Sequence, residues 1–172
     1  TLPAINAWVR HGEKLIAPLN IQRFNQHPKY IEACKERIIE KLDQVSGKPY
    51  LLFSAPSIPQ SRIKQVDAYQ VEIEETVELI LEEFHGYGHL LCYQSKVGPA
   101  KWLEPNIKDA LKELKNRGIK NLLVCPVGFV SEHLETLQEL DIKYRKVAED
   151  LGFNQYIRVN TVQAHPLFID CL

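Results

Sequence analysis

The sequence predicts one α/β domain in which a parallel sheet carries helices on both faces. Four short apolar segments, typical of buried strands, alternate with longer segments whose apolar residues recur every three or four positions, as in amphipathic helices. This alternation favours right-handed crossovers and a three-layer arrangement. At 172 residues, of which 45% are hydrophobic and 25% charged, the chain is long enough for one ordinary core.

The elements follow in order along the chain. Residues 1–26 show no sustained period and are expected to form an irregular arm or inter-domain segment, whereas residues 27–172 form the domain. Helices are predicted over 28–46, 69–84, 106–116 and 131–151, with a short one opening near 165. Strands are predicted at 50–53, 90–93, 121–127 and 155–159. Five residues of the second helix are expected to face the core: Val71, Val77, Ile80, Leu81 and Phe84.

Composition argues against several classes of function. A formal net charge of -1 gives no electrostatic reason to expect nucleic acid, and no apolar run reaches the about 18 residues of a membrane span. The four cysteines are far apart with no CxxC pair, so neither a zinc site nor an iron-sulfur cluster is predicted. Because nucleotide-binding loops and serine-nucleophile motifs are missing, we expect no nucleotide cofactor. A cytoplasmic location is expected, with peripheral membrane contact as an alternative.

The sharpest chemical feature follows the third predicted strand. Glu132, Glu135 and Glu139 recur at intervals of three and four, which would align three carboxylates on one helical stripe with Glu132 in the first turn. The residues expected to face the core from that helix are Leu137, Leu140, Tyr144 and Val147. Crowded carboxylates can share a proton or bind a divalent cation. A solvent-facing acidic helix has the same spacing, so both interpretations stay open.

His133 stands next to Glu132, near the predicted start of the same helix. A neutral imidazole there could bind a metal ion or orient a carboxylate. A histidine that caps the helix or packs against its neighbours would have the same position in the sequence, so this alternative also stays open.

Four stretches give the chain a family resemblance. They are residues 52–59 (LFSAPSIP), 94–99 (QSKVGP) with Trp102 and Leu103, 126–133 (PVGFVSEH) and 134–141 (LETLQELD). In this order they resemble the motifs of ferrochelatases, enzymes that insert ferrous iron into a porphyrin, and the resemblance runs from about residue 30 to residue 172. It implies a chelatase fold of two similar halves around a porphyrin cleft. This chain resembles the carboxy-terminal half, without the amino-terminal one.

The resemblance also implies roles for single residues. Glu135 matches a catalytic carboxylate and metal ligand, and Glu139 continues an acidic path for Fe²⁺, which would be a substrate. Trp102 matches an aromatic of the porphyrin cleft, and Ser54 and His133 are expected to contact the substrate with it. The loop 94–99 is more similar to that of members using protoporphyrin IX than to that of members using coproporphyrin III.

The sequence departs from the family at Pro56, where the pattern places the active-site histidine. Proline has no side-chain nitrogen that could bind a metal ion or accept a proton. Three hypotheses follow: a catalytically inactive domain that binds porphyrin or haem or has a structural role, an active protein with a substituted residue, and an enzyme that uses Glu135 alone. A flavodoxin-like regulatory domain without a tetrapyrrole is a further alternative.

Overall fold

A computed structural model describes residues 23–63, 68–95 and 98–172. These residues form a four-stranded parallel sheet with the strand order β2-β1-β3-β4. The strands are β1 (Tyr50–Pro56), β2 (His89–Gln94), β3 (Asn121–Pro126) and β4 (Gln155–Arg158). The predicted α/β fold and its four strands are confirmed. Most of the predicted arm falls on residues 1–22, outside the described residues, so the domain boundary stays a prediction.

Helices cover both faces of this sheet. They are α1 (Pro28–Leu42), α2 (Gln60–Ile63), α3 (Tyr69–Leu81), α4 (Ile107–Asn116), a π-helix (Glu135–Tyr144), α5 (Arg145–Asp150) and α6 (Pro166–Ile169). The short α2 falls in a segment that the sequence predicts as loop. Within the described parts of the chain, no helix combines the length and the apolar character needed to cross a bilayer.

Alternate residues of β1 separate two hydrophobic cores. Leu51 and Phe53 pack with α1 and α3 on one face, whereas Tyr50 and Leu52 pack with α4 and the π-helix on the other. Burial on both faces explains why the strands are continuous apolar runs. The same alternation places residue 56 on the sheet face that carries the π-helix, two residues beyond Ser54.

The inward face of α3 differs from the prediction at one residue. Ile73, Val77 and Ile80 are buried at helical spacing, but Val71 is 55% exposed, so its predicted core position is wrong. The buried stripe runs through Ile73, and a residue two positions away lies on the far side of an α-helix.

The helix after β3 differs most from its prediction. The predicted range starts at Ser131, but the first turn closes at His133, whose carbonyl oxygen accepts a hydrogen bond from the amide of Leu137 at 2.8 Å. Glu132 therefore precedes the helix. The predicted stripe of three carboxylates with Glu132 in the first turn is wrong, because other contacts, described below, hold Glu132 outside it.

Winding also changes which residues of this helix are buried. The buried side chains recur at intervals of four: Thr136, Leu140, Tyr144 and Ala148. Leu137 is 49% exposed, so its predicted core position is wrong. A π-helix bonds residue i to i+5, so each turn takes more residues than in an α-helix and the buried stripe shifts accordingly. Val147 is half-buried against the core, as expected.

Candidate functional site

The carboxyl ends of the four parallel strands meet at one edge of the sheet. β1 lies between β2 and β3, so the chain changes direction across the sheet at the junction of β1 and β3. Ligands of open α/β sheets bind in the crevice outside such a junction. The candidate site lies at this edge, between the loops that follow β1 and β2 and the start of the π-helix.

Gln94, the last residue of β2, connects the sheet to the π-helix. Its side chain is almost completely buried, and its Oε1 atom accepts a hydrogen bond from Ser54 Oγ at 2.7 Å. Its Nε2 atom donates to the carbonyl oxygen of Glu135 at 2.8 Å and to Oε2 of Glu139 at 3.3 Å. One buried amide thus holds the first turn of the π-helix against the ends of β1 and β2.

Glu139 is the more buried of the two helix carboxylates, with 17% of its side chain exposed. Ser95 Oγ donates to its Oε2 atom at 2.7 Å, and Lys143 Nζ lies 3.4 Å from its Oε1 atom. Ser95 has a φ of 65°, a left-handed conformation that costs a non-glycine residue roughly 1–2 kcal/mol and that is found most often at functional sites. Burial lowers the pKa of Lys143, but contacts with Tyr144 and Glu139 outweigh it and raise that pKa, so this lysine stays cationic.

Glu135 is the more exposed carboxylate, with 39% of its side chain accessible. Its Oε2 atom lies 3.7 Å from His133 Nε2, and its amide donates to His133 Nδ1 at 3.2 Å. Glu135 and Glu139, the acidic pair, therefore offer one carboxylate to solvent and one to the protein interior. Such a pair can pass a divalent cation or a proton inward from the surface.

His133 caps the π-helix and packs against Phe129. The two rings meet edge to face with their centroids 5.1 Å apart, and the imidazole accepts the amide hydrogen of Glu135. These contacts agree with the packing interpretation, and the 3.7 Å approach of Nε2 to Glu135 Oε2 leaves the interpretation as a group that orients a carboxylate open as well. Its predicted contact with substrate stays a prediction.

Ser54 lies near the end of β1, and Trp102 lies in the loop that follows β2. Ser54 is fully buried, and its hydroxyl group donates a hydrogen bond to Gln94 Oε1. Trp102 pairs with Pro59 through an isolated antiparallel bridge, and its carbonyl accepts Gln60 Nε2 at 3.1 Å. Its buried indole Nε1 has no hydrogen-bond partner among the described residues. Substrate contact by either residue stays a prediction.

Pro56 ends β1 beside this edge. Its carbonyl oxygen accepts a hydrogen bond from Tyr69 Oη at 2.7 Å. Proline lacks an N–H group and is tolerated where a strand stops pairing. Ser54, two residues earlier on the same face, bonds to the amide that holds the acidic pair. Strand alternation assigns residue 56 to the face of Ser54, and the ring Cδ atom of Pro56 lies 3.3 Å from the place that a Cβ on Gly128 would occupy.

Among the described residues, the side chains at this edge that could bind a metal ion are the carboxylates of the acidic pair and the imidazole of His133. Across residues 23–63, 68–95 and 98–172, no three His, Cys, Asp or Glu side chains lie close enough to hold a metal ion together.

A cavity of about 180 Å³ opens beside Gly128, and it is lined by residues of the α1 and α3 face, among them Tyr30 and Ile73. The acidic pair lies on the other face.

A model of the Ferrochelatase family matches residues 1–172. The chain belongs to the ferrochelatase family. The family predicted from the four motifs is thus confirmed. Curated ferrochelatases agree: that of Geobacter metallireducens is 47% identical over 154 residues, which cover 88% of this chain and 49% of that protein. That of Trichodesmium erythraeum is 44% identical over 171 residues, covering 96% of this chain and 44% of that protein. The chain therefore spans about half the length of these ferrochelatases.

The fold has a counterpart among solved structures. SirB from Bacillus subtilis with Fe³⁺ superposes with a TM-score of 0.57 at 16% identity, covering 83% of this chain and 50% of that one. At this identity the likeness shows the fold, which agrees with the predicted chelatase-like architecture.

The sequence did not predict the roles of four residues that organise the candidate site. Gln94 and Ser95 directly follow the strand predicted at 90–93, at the expected edge, so their position was a usable signal. Lys143 lies four residues after Glu139, the spacing of a helical ion pair. Arg158 is the one cationic residue of a short strand. The pairing of the last three with particular carboxylates depends on tertiary structure.

Proposed function

We propose that this chain is the metal-handling, carboxy-terminal half of a ferrochelatase and takes part in the insertion of Fe²⁺ into protoporphyrin IX for haem biosynthesis. The observation that supports the proposal is the acidic pair, held by Gln94 and Ser95 at the edge of a chelatase-like sheet. Fe²⁺ is a substrate in this scheme, and the porphyrin is the other.

The two carboxylates suit the two requirements of the reaction. Fe²⁺ must exchange its water ligands for pyrrole nitrogens, and the macrocycle must lose two N–H protons. Glu135 is exposed and would bind the hydrated ion first. Glu139, whose carboxylate is oriented by Ser95, would then accept the ion or a proton from it. Oxygen ligands of this kind exchange with water readily, as the passage of a substrate ion requires.

The porphyrin is proposed to lie against the loops that follow β1 and β2. Trp102 offers a flat apolar surface suited to a macrocycle, and Ser54 and His133 are proposed as further substrate contacts. The other wall of the cleft would come from an amino-terminal half, because the relatives are about twice as long as this chain. A cytoplasmic location with peripheral membrane contact belongs to the same proposal.

Pro56 supports a second candidate, a domain that binds porphyrin or haem without turnover. The family resemblance expects an imidazole at this position, and proline supplies no lone pair for a metal ion or a proton. Under this alternative the acidic pair persists, but the reaction lacks the base that works with Glu135.

A chimera tests both candidates. Residues 1–172 replace the matching part of the Geobacter metallireducens ferrochelatase, and Zn²⁺ insertion into protoporphyrin IX is followed by fluorescence. We expect the Pro56→His chimera to turn over and Glu135→Gln, made in that background, to lower the rate by about 100-fold or more. Glu78→Gln, on the exposed face of α3, is the matched control and should leave the rate unchanged.

The unaltered chimera distinguishes the candidates. Turnover with Pro56 in place identifies an enzyme that uses Glu135 alone, whereas porphyrin binding without turnover identifies the inactive binding domain. An unchanged rate in the Glu135→Gln variant of an active chimera would remove this carboxylate from the mechanism. Failure of every chimera to bind porphyrin would contradict the proposal.

A further inference from the structure

We propose that Arg158 is a positioning residue that fixes the π-helix and, through it, the directions of the Glu135 and Glu139 carboxylates. The metal-binding part of this inference rests on the proposed function. Arg158 ends β4 and carries a side chain that is only 8% exposed. Its guanidinium binds groups on the flank of the helix away from Gln94, so it would act through the helix and not through direct contact with a substrate.

The first contact of Arg158 is a two-pronged ion pair with Asp141, in the middle of the π-helix. Nε lies 2.6 Å from Oδ1 and Nη2 lies 2.8 Å from Oδ2. A planar guanidinium that meets a carboxylate in this parallel fashion fixes the orientation of both groups, which a lysine ammonium does not. Asp141 is thereby held to the end of β4.

The second contact of Arg158 is with Glu132, just before the helix. Nη1 lies 3.0 Å from Oε1 of Glu132, and the same oxygen accepts the Thr161 amide at 2.9 Å. Burial alone would raise the pKa of Glu132, but hydrogen bonds from Thr161, Thr136 and Arg158 outweigh it and hold that pKa below its ordinary value. One guanidinium thus ties the segment that leads into the helix to the middle of the helix.

Further contacts from β4 support the same flank. Tyr156 Oη donates to the carbonyl oxygen of Leu140 at 3.0 Å, and Arg145 Nη1 donates to the carbonyl of Tyr156 at 2.7 Å. Most π-helical segments are single turns, so a ten-residue one needs support from the surrounding protein. Gln94 and Ser95 hold the flank of the acidic pair, and β4 holds the opposite flank. Loss of the β4 contacts should let the helix rewind and turn both carboxylates.

The test combines a metal titration with hydrogen exchange on the full chain. Co²⁺ alone is the probe, and its visible spectrum reports the coordination geometry. Arg158→Lys keeps the positive charge but removes the planar guanidinium that bonds to both oxygens of Asp141. Asp141→Asn removes the charge of the partner carboxylate and keeps its size. Arg117→Lys is the matched control, because Arg117 is an exposed arginine 3.5 Å from Glu113. We expect the first two to weaken Co²⁺ binding by about 10- to 100-fold, to alter the spectrum, and to speed exchange over residues 135–144 but not in β1.

The proposal would be overturned if Arg158→Lys and Asp141→Asn both kept the wild-type Co²⁺ affinity, visible spectrum and hydrogen-exchange rates. Uniformly faster exchange across the whole sheet would also overturn it, because Arg158 would then be a general stability residue. Should the unaltered chain bind no Co²⁺, the proposed function is contradicted. The exchange measurement then decides on Arg158 by itself, with acceleration confined to 135–144 supporting the positioning role.

Discussion

Gly128 shows how single residues shape the carboxyl edge of the sheet. It has a φ of 75°, and a Cβ atom there would lie 2.9 Å from Ile73 Cδ1 and 3.3 Å from Pro56 Cδ. Only glycine meets both conditions without strain, because it has no Cβ and adopts positive φ freely. The chain can therefore pass close to the end of β1 before it reaches the π-helix.

Replacing Gly128 by alanine should destabilise the fold more than the same change at Gly47. Both residues have positive φ, but a Cβ at Gly47 meets no atom within 4 Å. The left-handed backbone costs roughly 1–2 kcal/mol at either site, and the clash adds about 1–3 kcal/mol at Gly128 only. Urea unfolding of the two variants measures the difference. Equal losses of stability would show that the loop at Gly128 can move away from Ile73 and Pro56, so that close packing there is not required.

For single residues, the sequence predicted which side chains share a helix but not which distant residues they contact. The spacing of Glu135 and Glu139 placed both on one helix, and the structure keeps them within one turn of each other. Glu132 has the same spacing, but Arg158 and Thr161 hold it outside the helix. Both partners are more than 20 residues away in the sequence, and no local pattern indicates such a contact.

The π-helix is the element on which the site depends. Its buried residues recur every four positions, and its carbonyl groups at Leu140 and Asp141 accept side-chain hydrogen bonds from Tyr156 and Arg145. An apolar pattern of three and four indicates a helix but does not distinguish α from π winding, because the choice depends on those tertiary contacts. The sequence therefore predicted the helix and misplaced both its start and Leu137.

Two leucines of the π-helix test this winding directly. Leu140→Ala removes a fully buried side chain and should cost about 2–5 kcal/mol, whereas Leu137→Ala removes a half-exposed one and should change the free energy of unfolding by less than about 1 kcal/mol. Regular α-helical winding from Ser131 would bury both. Similar large losses in the two variants, measured by urea unfolding, would therefore contradict the π-helical register.

In the proposed function, the whole molecule supplies one wall of the site. The sheet was predictable because four apolar strands alternate with helices, and parallel pairing brings their carboxyl ends to one edge. The motifs also predicted the family correctly, since the Ferrochelatase model matches residues 1–172. The proposed opposite wall could not be predicted from this sequence, because the chain spans only about half the length of its ferrochelatase relatives.

The proposed function requires that a divalent metal ion binds at the acidic pair. Anomalous diffraction from crystals soaked in Co²⁺ tests this most directly, because it locates the ion without an assay of turnover. We expect a peak within bonding distance, about 2.0–2.3 Å, of a Glu135 or Glu139 carboxylate oxygen, and its loss in the Glu135→Gln, Glu139→Gln double variant. A peak only at exposed carboxylates of α3, such as that of Glu78, or a peak unchanged in the double variant, would contradict this binding site.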